Sequence, residues 1–179
     1  MQTSSRADVW DTIAREAAGE SALWGLALRA PDEREHDPVF SPLGEERFVL
    51  GLETIYEGYL LHYGRARIFA PPDGDVTLLL GDALLAHGLV RIAETGSIAA
   101  VGDVAELLSL CAQARADGVD GDGPAWAATS ALLACGGLDE ARAALRDDRD
   151  PVPLERLARE AAGDDAVDRA LAAHVARLV

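Results

Sequence analysis

The stretch VTLLLGDALLAHGLVRIAE, residues 76–94, constrains this chain more than any other. Its apolar side chains fall on nearly every side of a helical wheel. It therefore predicts a helix packed all round, the central helix of a bundle. The same period runs through the preceding segment. From Glu45 to Tyr63, the residues Phe48, Leu52, Ile55, Tyr56, Tyr59, Leu60 and Tyr63 recur at helical spacing. Gly51 and Gly58 lie seven apart on one face, where a neighbouring backbone can come close. No alternating strand pattern competes. The expected fold class is all-α, a bundle of antiparallel helices.

The helix signals divide the chain without breaking it into separate units. A single α-helical domain is expected over 1–179. It has N-terminal helices in 1–30, a loop in 31–44, central helices in 45–117 and short C-terminal helices in 123–179. Ser4 or Ser5 caps a first helix with Val9, Trp10, Ile13 and Ala17 inward and Gly19 as its stop. A second, from Ser21 to Ala30, turns Leu23, Trp24 and Leu28 inward. Three prolines and a cluster of charges mark the loop. Asp75 caps the long apolar helix, Gly96 ends it and Ser97 opens the next. There Val101, Val104, Leu108 and Cys111 point inward, and Asp103, Glu106 and Gln113 outward. Pro124 suits the first turn of the following helix. The last three helices present Leu138, Ala141 and Leu145; Leu154, Leu157 and Ala161; and Val167, Leu171, Val175 and Leu178 to the core.

Charge removes several function classes. There are 31 acidic residues against 16 basic ones, a formal net charge of -15. No local basic patch offsets this, so nucleic acid is excluded as a direct partner. Every basic residue is Arg. Without Lys there is no Schiff-base chemistry and no Walker lysine. Cys111 and Cys135 sit in apolar runs and form neither a disulfide framework nor a metal spacing. They read as buried small hydrophobes in a reducing cytoplasm. No basic leader and no uninterrupted membrane-length run is apparent, so a cytoplasmic location without a transmembrane segment is expected.

Asp82 is the most informative polar residue. Leu78, Ala86, Leu89 and Ala93 share its side of the wheel, so it is expected to face the core and to need a fixed partner. The candidates are His62, Arg65, Arg67 and the tyrosines Tyr56, Tyr59 and Tyr63. His87, Arg91 and Glu94 fall on the opposite side, toward a groove or solvent. Asp82, His62, Arg65, Arg67, His87 and Arg91 are the candidate ligand-binding set. Glu53 and Glu57, one turn apart, are candidate metal ligands, set against a solvated acidic edge. The segment DDAVD, Asp164 to Asp168, opens a helix and reads as a cap beside the helix dipole.

Leu60, Leu61 and His62, then Leu80, Gly81, Asp82, Leu84 and Ala86, resemble a helix pair of the trans-isoprenyl diphosphate synthases. The likeness spans about Phe48 to Ala116. In that family two Asp-rich motifs hold Mg²⁺ against an allylic diphosphate. Here Tyr63, Gly64 and Arg65 follow His62 where paired aspartates would stand. Arg65 and Arg67 are loose counterparts of the family's Arg-Arg-Gly. The resemblance thus implies an isoprenoid-synthase-like but truncated core with no catalytic residues of its own. The implied role is a non-catalytic or partner-dependent subunit of a polyprenyl diphosphate synthase. It would have no cofactor, with Mg²⁺ entering only through a prenyltransferase partner or residual activity. A self-associating bundle that binds an apolar small molecule or a metal is the alternative.

Overall fold

The computed structural model describes residues 6–178. The expected cap at Ser4 or Ser5 lies outside them. Among the described residues there are nine α-helices and no strand. They are α1 (Arg6–Glu20), α2 (Ala22–Leu26), α3 (Val49–Tyr63), α4 (Gly74–Glu94), α5 (Ile98–Ala116), α6 (Asp122–Ala131), α7 (Asp139–Asp148), α8 (Val152–Ala162) and α9 (Asp164–Val175). The all-α class is as expected. Several boundaries differ by a residue or two. α1 runs through Gly19 to Glu20. Asp73 rather than Asp75 caps α4, accepting a hydrogen bond from the Val76 amide. Ser97 caps α5 as expected, and Gly96 beyond α4 takes φ +80°, which glycine adopts without strain.

The helix packed all round is α3, not α4. Every residue of α3 from Gly51 to Leu61 is buried, Glu53 and Glu57 included. α4 buries only Leu80, Gly81, Leu84, Gly88 and Ile92. That single stripe lies against α3 through glycines from both helices. A β-carbon at Gly58 would stand 2.8 Å from the Gly81 carbonyl oxygen, and one at Gly88 would stand 3.0 Å from that of Gly51. The close approach read from Gly51 and Gly58 is thus real, and Gly81 and Gly88 answer it from α4. A second apolar stripe of α4 faces outward: Leu78, Leu79 and Val90 are each more than half exposed.

α6 is the second inner helix, with Ala125 to Ser130 all buried. Trp126 on α6 meets Tyr56 and Tyr59 of α3 edge-on and stacks on Phe40 of the loop. Aromatic residues are only 5% of the chain, and this cluster gathers them at the joint between the two halves. Around it, α9 buries Val167, Ala170 and His174 while leaving Val175 exposed. α8 buries Leu154 and Ala158 rather than Ala161. Leu23 and Cys135 are exposed as well, against expectation.

α4 is the one helix among those described that is long and apolar enough to cross a membrane by length and composition. The sequence expectation excluded such a run. Here the apolarity serves the glycine contact with α3 on one side and an open surface on the other.

Replacing Gly58 or Gly88 with Ala should push α3 and α4 apart and destabilise by about 1–3 kcal/mol, despite Ala's better helix propensity. Gly102, on the open side of α5 with no atom near its missing side chain, is the control. Gly102→Ala should stabilise by up to about 1 kcal/mol. Chemical denaturation of the three variants checks the contrast.

Candidate functional site

The most heavily built polar feature starts from α3. Glu53 and Glu57 lie one turn apart and are 2% and 0% exposed. Arg67, 0% exposed, arrives from the segment after α3. Its Nε donates to Glu57 Oε2 at 2.9 Å and its Nη1 to Glu53 Oε2 at 2.8 Å. Nη1 also reaches the Asp37 carbonyl at 3.1 Å. The guanidinium lies over the rings of Trp10 and Tyr56, at 4.3 and 5.0 Å from their centroids. Burial works against its charge, yet the two carboxylates outweigh burial and raise its pKa above the usual value. Glu57 Oε1 accepts from the Arg67 and Ile68 amides at 2.7 and 2.8 Å. Ser41 donates to Glu53 Oε1. The expectation of a solvated acidic edge is therefore overturned. So is the metal reading of Glu53 and Glu57, because Arg67 occupies the place between the carboxylates that a cation would need.

A second network lies across the aromatic cluster. Tyr59 and Arg115 donate to Asp122, and the Tyr56 hydroxyl lies 2.8 Å from His174 Nδ1. His174 Nε2 stands 3.4 Å from Asp122. Burial opposes ionisation of Asp122. The nearby His174, the hydrogen bond from Tyr59 and the charge of Arg115 overcome it, and the carboxyl is held well below the usual carboxylate range. Burial pushes both tyrosine hydroxyls far above the ordinary phenol range.

The candidate ligand-binding residues do not converge. Asp82 does not face the core: its side chain is 72% exposed, and it meets His62 Nε2 across the helix pair at 3.1 Å. Arg65 leaves for the surface and pairs with Glu35. Glu35 also takes Arg177, at 2.9 Å. Burial alone would raise Glu35, but the two arginines lower its pKa instead. His87 meets Glu20 at 2.9 Å, and Arg91 reaches Glu16 and Thr54. Asp103 and Glu106, expected to point outward, pair with Arg142 and Arg146 of α7. Asp164 and Asp168 share Arg159 instead of capping α9 through their side chains. Among the described residues, no group of three or more His, Cys, Asp or Glu side chains is placed to hold a metal ion.

Most residues that carry the family likeness are packing residues here, while Asp82 and Ala86 are exposed. Leu80 and Leu84 fill the α3 contact. Gly81 leaves room for the His62 ring, which a β-carbon there would meet at 2.6 Å. Sequence reading missed Trp10 and Ser41 beside Glu53, and the Asp122, Tyr59 and His174 set. A comparison of the chain with family models, curated proteins and solved structures finds no match.

Two mutations separate buried from exposed charge. Arg67→Ala strands two buried carboxylates and should cost about 3–5 kcal/mol. Asp82→Ala removes an exposed partner and should cost less than about 1 kcal/mol. Thermal melts of both variants check this. Asp122 predicts acid sensitivity. Its contribution is complete above the unfolded pKa, about 3.9, and is lost as pH falls toward the lower folded value. Stability measured from pH 6 downward should therefore fall below about pH 4. The fall should be shallower in Asp122→Asn.

Proposed function

We propose that this chain is a non-catalytic helical subunit that works by assembling with another polypeptide through the outer face of α4. The observation that carries the reading is the stripe Leu78, Leu79, Ala86, Val90 and Ala93, exposed along a helix whose other side is already packed. Ile98 at the start of α5 is 90% exposed as well. Asp82 interrupts the stripe, and an apolar face of that length around one exposed carboxylate marks an interaction surface. Charge argues for a partner other than a second copy. Two chains of net charge -15 repel one another, and a less acidic partner is repelled less.

The sequence likeness at Leu60 to His62 and Leu80 to Ala86 suggests the partner's class, a catalytic polyprenyl diphosphate synthase chain in the cytoplasm. The segment after His62 supports a non-catalytic role. Where the family places Mg²⁺-binding aspartates, Tyr63 packs on Tyr59 and His62. The Arg65 amide is tied to the Arg177 carbonyl at 2.8 Å. That stretch serves to dock the C-terminal end of the chain.

Purification from the native host, with mass spectrometry, should recover a prenyltransferase chain with the wild type and lose it with Leu79→Glu/Val90→Glu. The isolated chain, given allylic and homoallylic diphosphates with Mg²⁺, should give no elongation product. A clean monomer by light scattering at micromolar concentration with no recovered partner overturns the assembly. Robust product from the chain alone overturns the non-catalytic role.

A further inference from the structure

A cleft of about 330 Å³ opens between α1, the loop after α2 and the start of α3. Trp10, Pro38, Pro42 and Val49 give it apolar walls. Its polar lining is Ser41, Glu46 and Glu53. We propose that this cleft binds a small organic cation, a primary ammonium on an apolar body.

The argument is a charge count at the Arg67 network. Two carboxylates, Glu53 and Glu57, share one guanidinium. Glu57 does not reach the cleft and already accepts three N–H groups, from the Arg67 side chain and from two backbone amides. Glu53 does line the cleft. Its Oε1 accepts from Ser41 and its Oε2 from Arg67, which leaves a lone-pair site on each oxygen. Arg67 exposes nothing to the cleft, being 0% exposed. The uncompensated negative charge of the network therefore sits on the one carboxylate that a ligand can touch. A buried carboxylate calls for a counter-charge with hydrogen-bond donors, and an ammonium supplies both. Glu46 at the exposed mouth adds a second attraction.

The walls decide what carries that charge. A hard divalent ion needs six or more oxygens, and hydrocarbon and proline walls do not supply them. They suit a hydrocarbon body, and the volume lies at the small end of ligand sites. An anion meets Glu46 and Glu53 and is repelled. The net charge of -15 also raises the concentration of cations near the surface. This site lies apart from the outer face of α4, so it stands or falls independently of assembly.

The test uses n-hexylammonium, 1-hexanol and hexanoate as probes, with calorimetry and the Trp10 indole NMR signal as readouts on the full chain. The ammonium should bind at least about tenfold more tightly than the alcohol, shift the Trp10 signal and be matched by no hexanoate binding. Glu53→Gln should weaken it by about tenfold or more. Since that variant disturbs the buried network, two others keep the test sharp. Glu46→Gln at the mouth should weaken the ammonium selectively at an unchanged melting temperature. Val49→Trp should fill the cleft and abolish binding. Equal affinity for ammonium and alcohol, undiminished ammonium binding in Val49→Trp, or no ammonium binding at about 10 mM overturns the proposal.

Discussion

A guanidinium removed from water must have its charge balanced and its N–H groups matched, and the arrangement around Arg67 follows from that demand. Arg67 satisfies it with side chains and carbonyls drawn from three parts of the chain: Glu53 and Glu57 on α3, the Asp37 carbonyl in the loop, and the Trp10 ring on α1. These groups stand at positions 10, 37, 53 and 57, well apart along the chain. The loop carries three prolines and little helix, so it has few backbone bonds of its own to fix its course. The Arg67 and Ile68 amides, both bound to Glu57, fix the course of the segment after α3. That segment in turn holds α2 and the loop: Ala70 donates to the Ala27 carbonyl and Arg29 to that of Ile68.

The second constraint is steric. Gly51 and Gly58 on α3 face Gly81 and Gly88 on α4, so the two backbones approach more closely than side chains would allow. That contact fixes which face of α4 is inward: Gly81 and Gly88 meet α3 with Leu80, Leu84 and Ile92 beside them, and Leu78, Leu79 and Val90 are left outside. Apolar bulk on a helix ordinarily marks the core. Here the glycines select which part of that bulk is enclosed, an inversion of the usual order, because α3 is the fully enclosed element. The same inversion explains Asp82. It shares a side with Leu78 and Ala86, which is the open side, and so it sits in water against His62.

That inversion also sets how much was legible in the sequence. Helix existence and order follow from period and caps, and α5 opens at Ser97 as its spacing demands. The facing of α4 was not legible, because wheel position alone does not say whether glycine or leucine meets the neighbour. α3 did carry a usable signal. Its apolar residues occupy every direction, so Glu53 and Glu57 could not both escape burial, and an apolar-flanked Arg67 soon afterward was the natural partner. The inner face of α9 was misjudged for a geometric reason. Stepping by four from Val167 to Leu171 to Val175 advances 40° too far each time, whereas mixed steps of three and four reach Ala170 and His174. The Tyr59–Asp122 and Tyr56–His174 contacts join residues 63 and 118 positions apart, and no local pattern announces such pairs.

A chain without lysine builds its joints from arginine, and the consequence is structural. A guanidinium offers five donors in a rigid fork, so one side chain can bind several segments at once, which a lysine's point charge does less well. Arg142 takes both the Asp103 side chain and its carbonyl, fastening α7 to α5. Arg115 meets Tyr59 and Asp122, fastening α5 to α3 and α6. Arg177 and Arg65 close on Glu35 from the two sides of the Gly64 contact with the C-terminal end. In the Arg142 and Arg115 joints one guanidinium meets one carboxylate, and at Glu35 two arginines meet one. Arg67 alone among these faces two carboxylates that are both buried. The network that organises the N-terminal half is thus also the one with more carboxylates than guanidiniums, and one of them, Glu53, borders the apolar cleft.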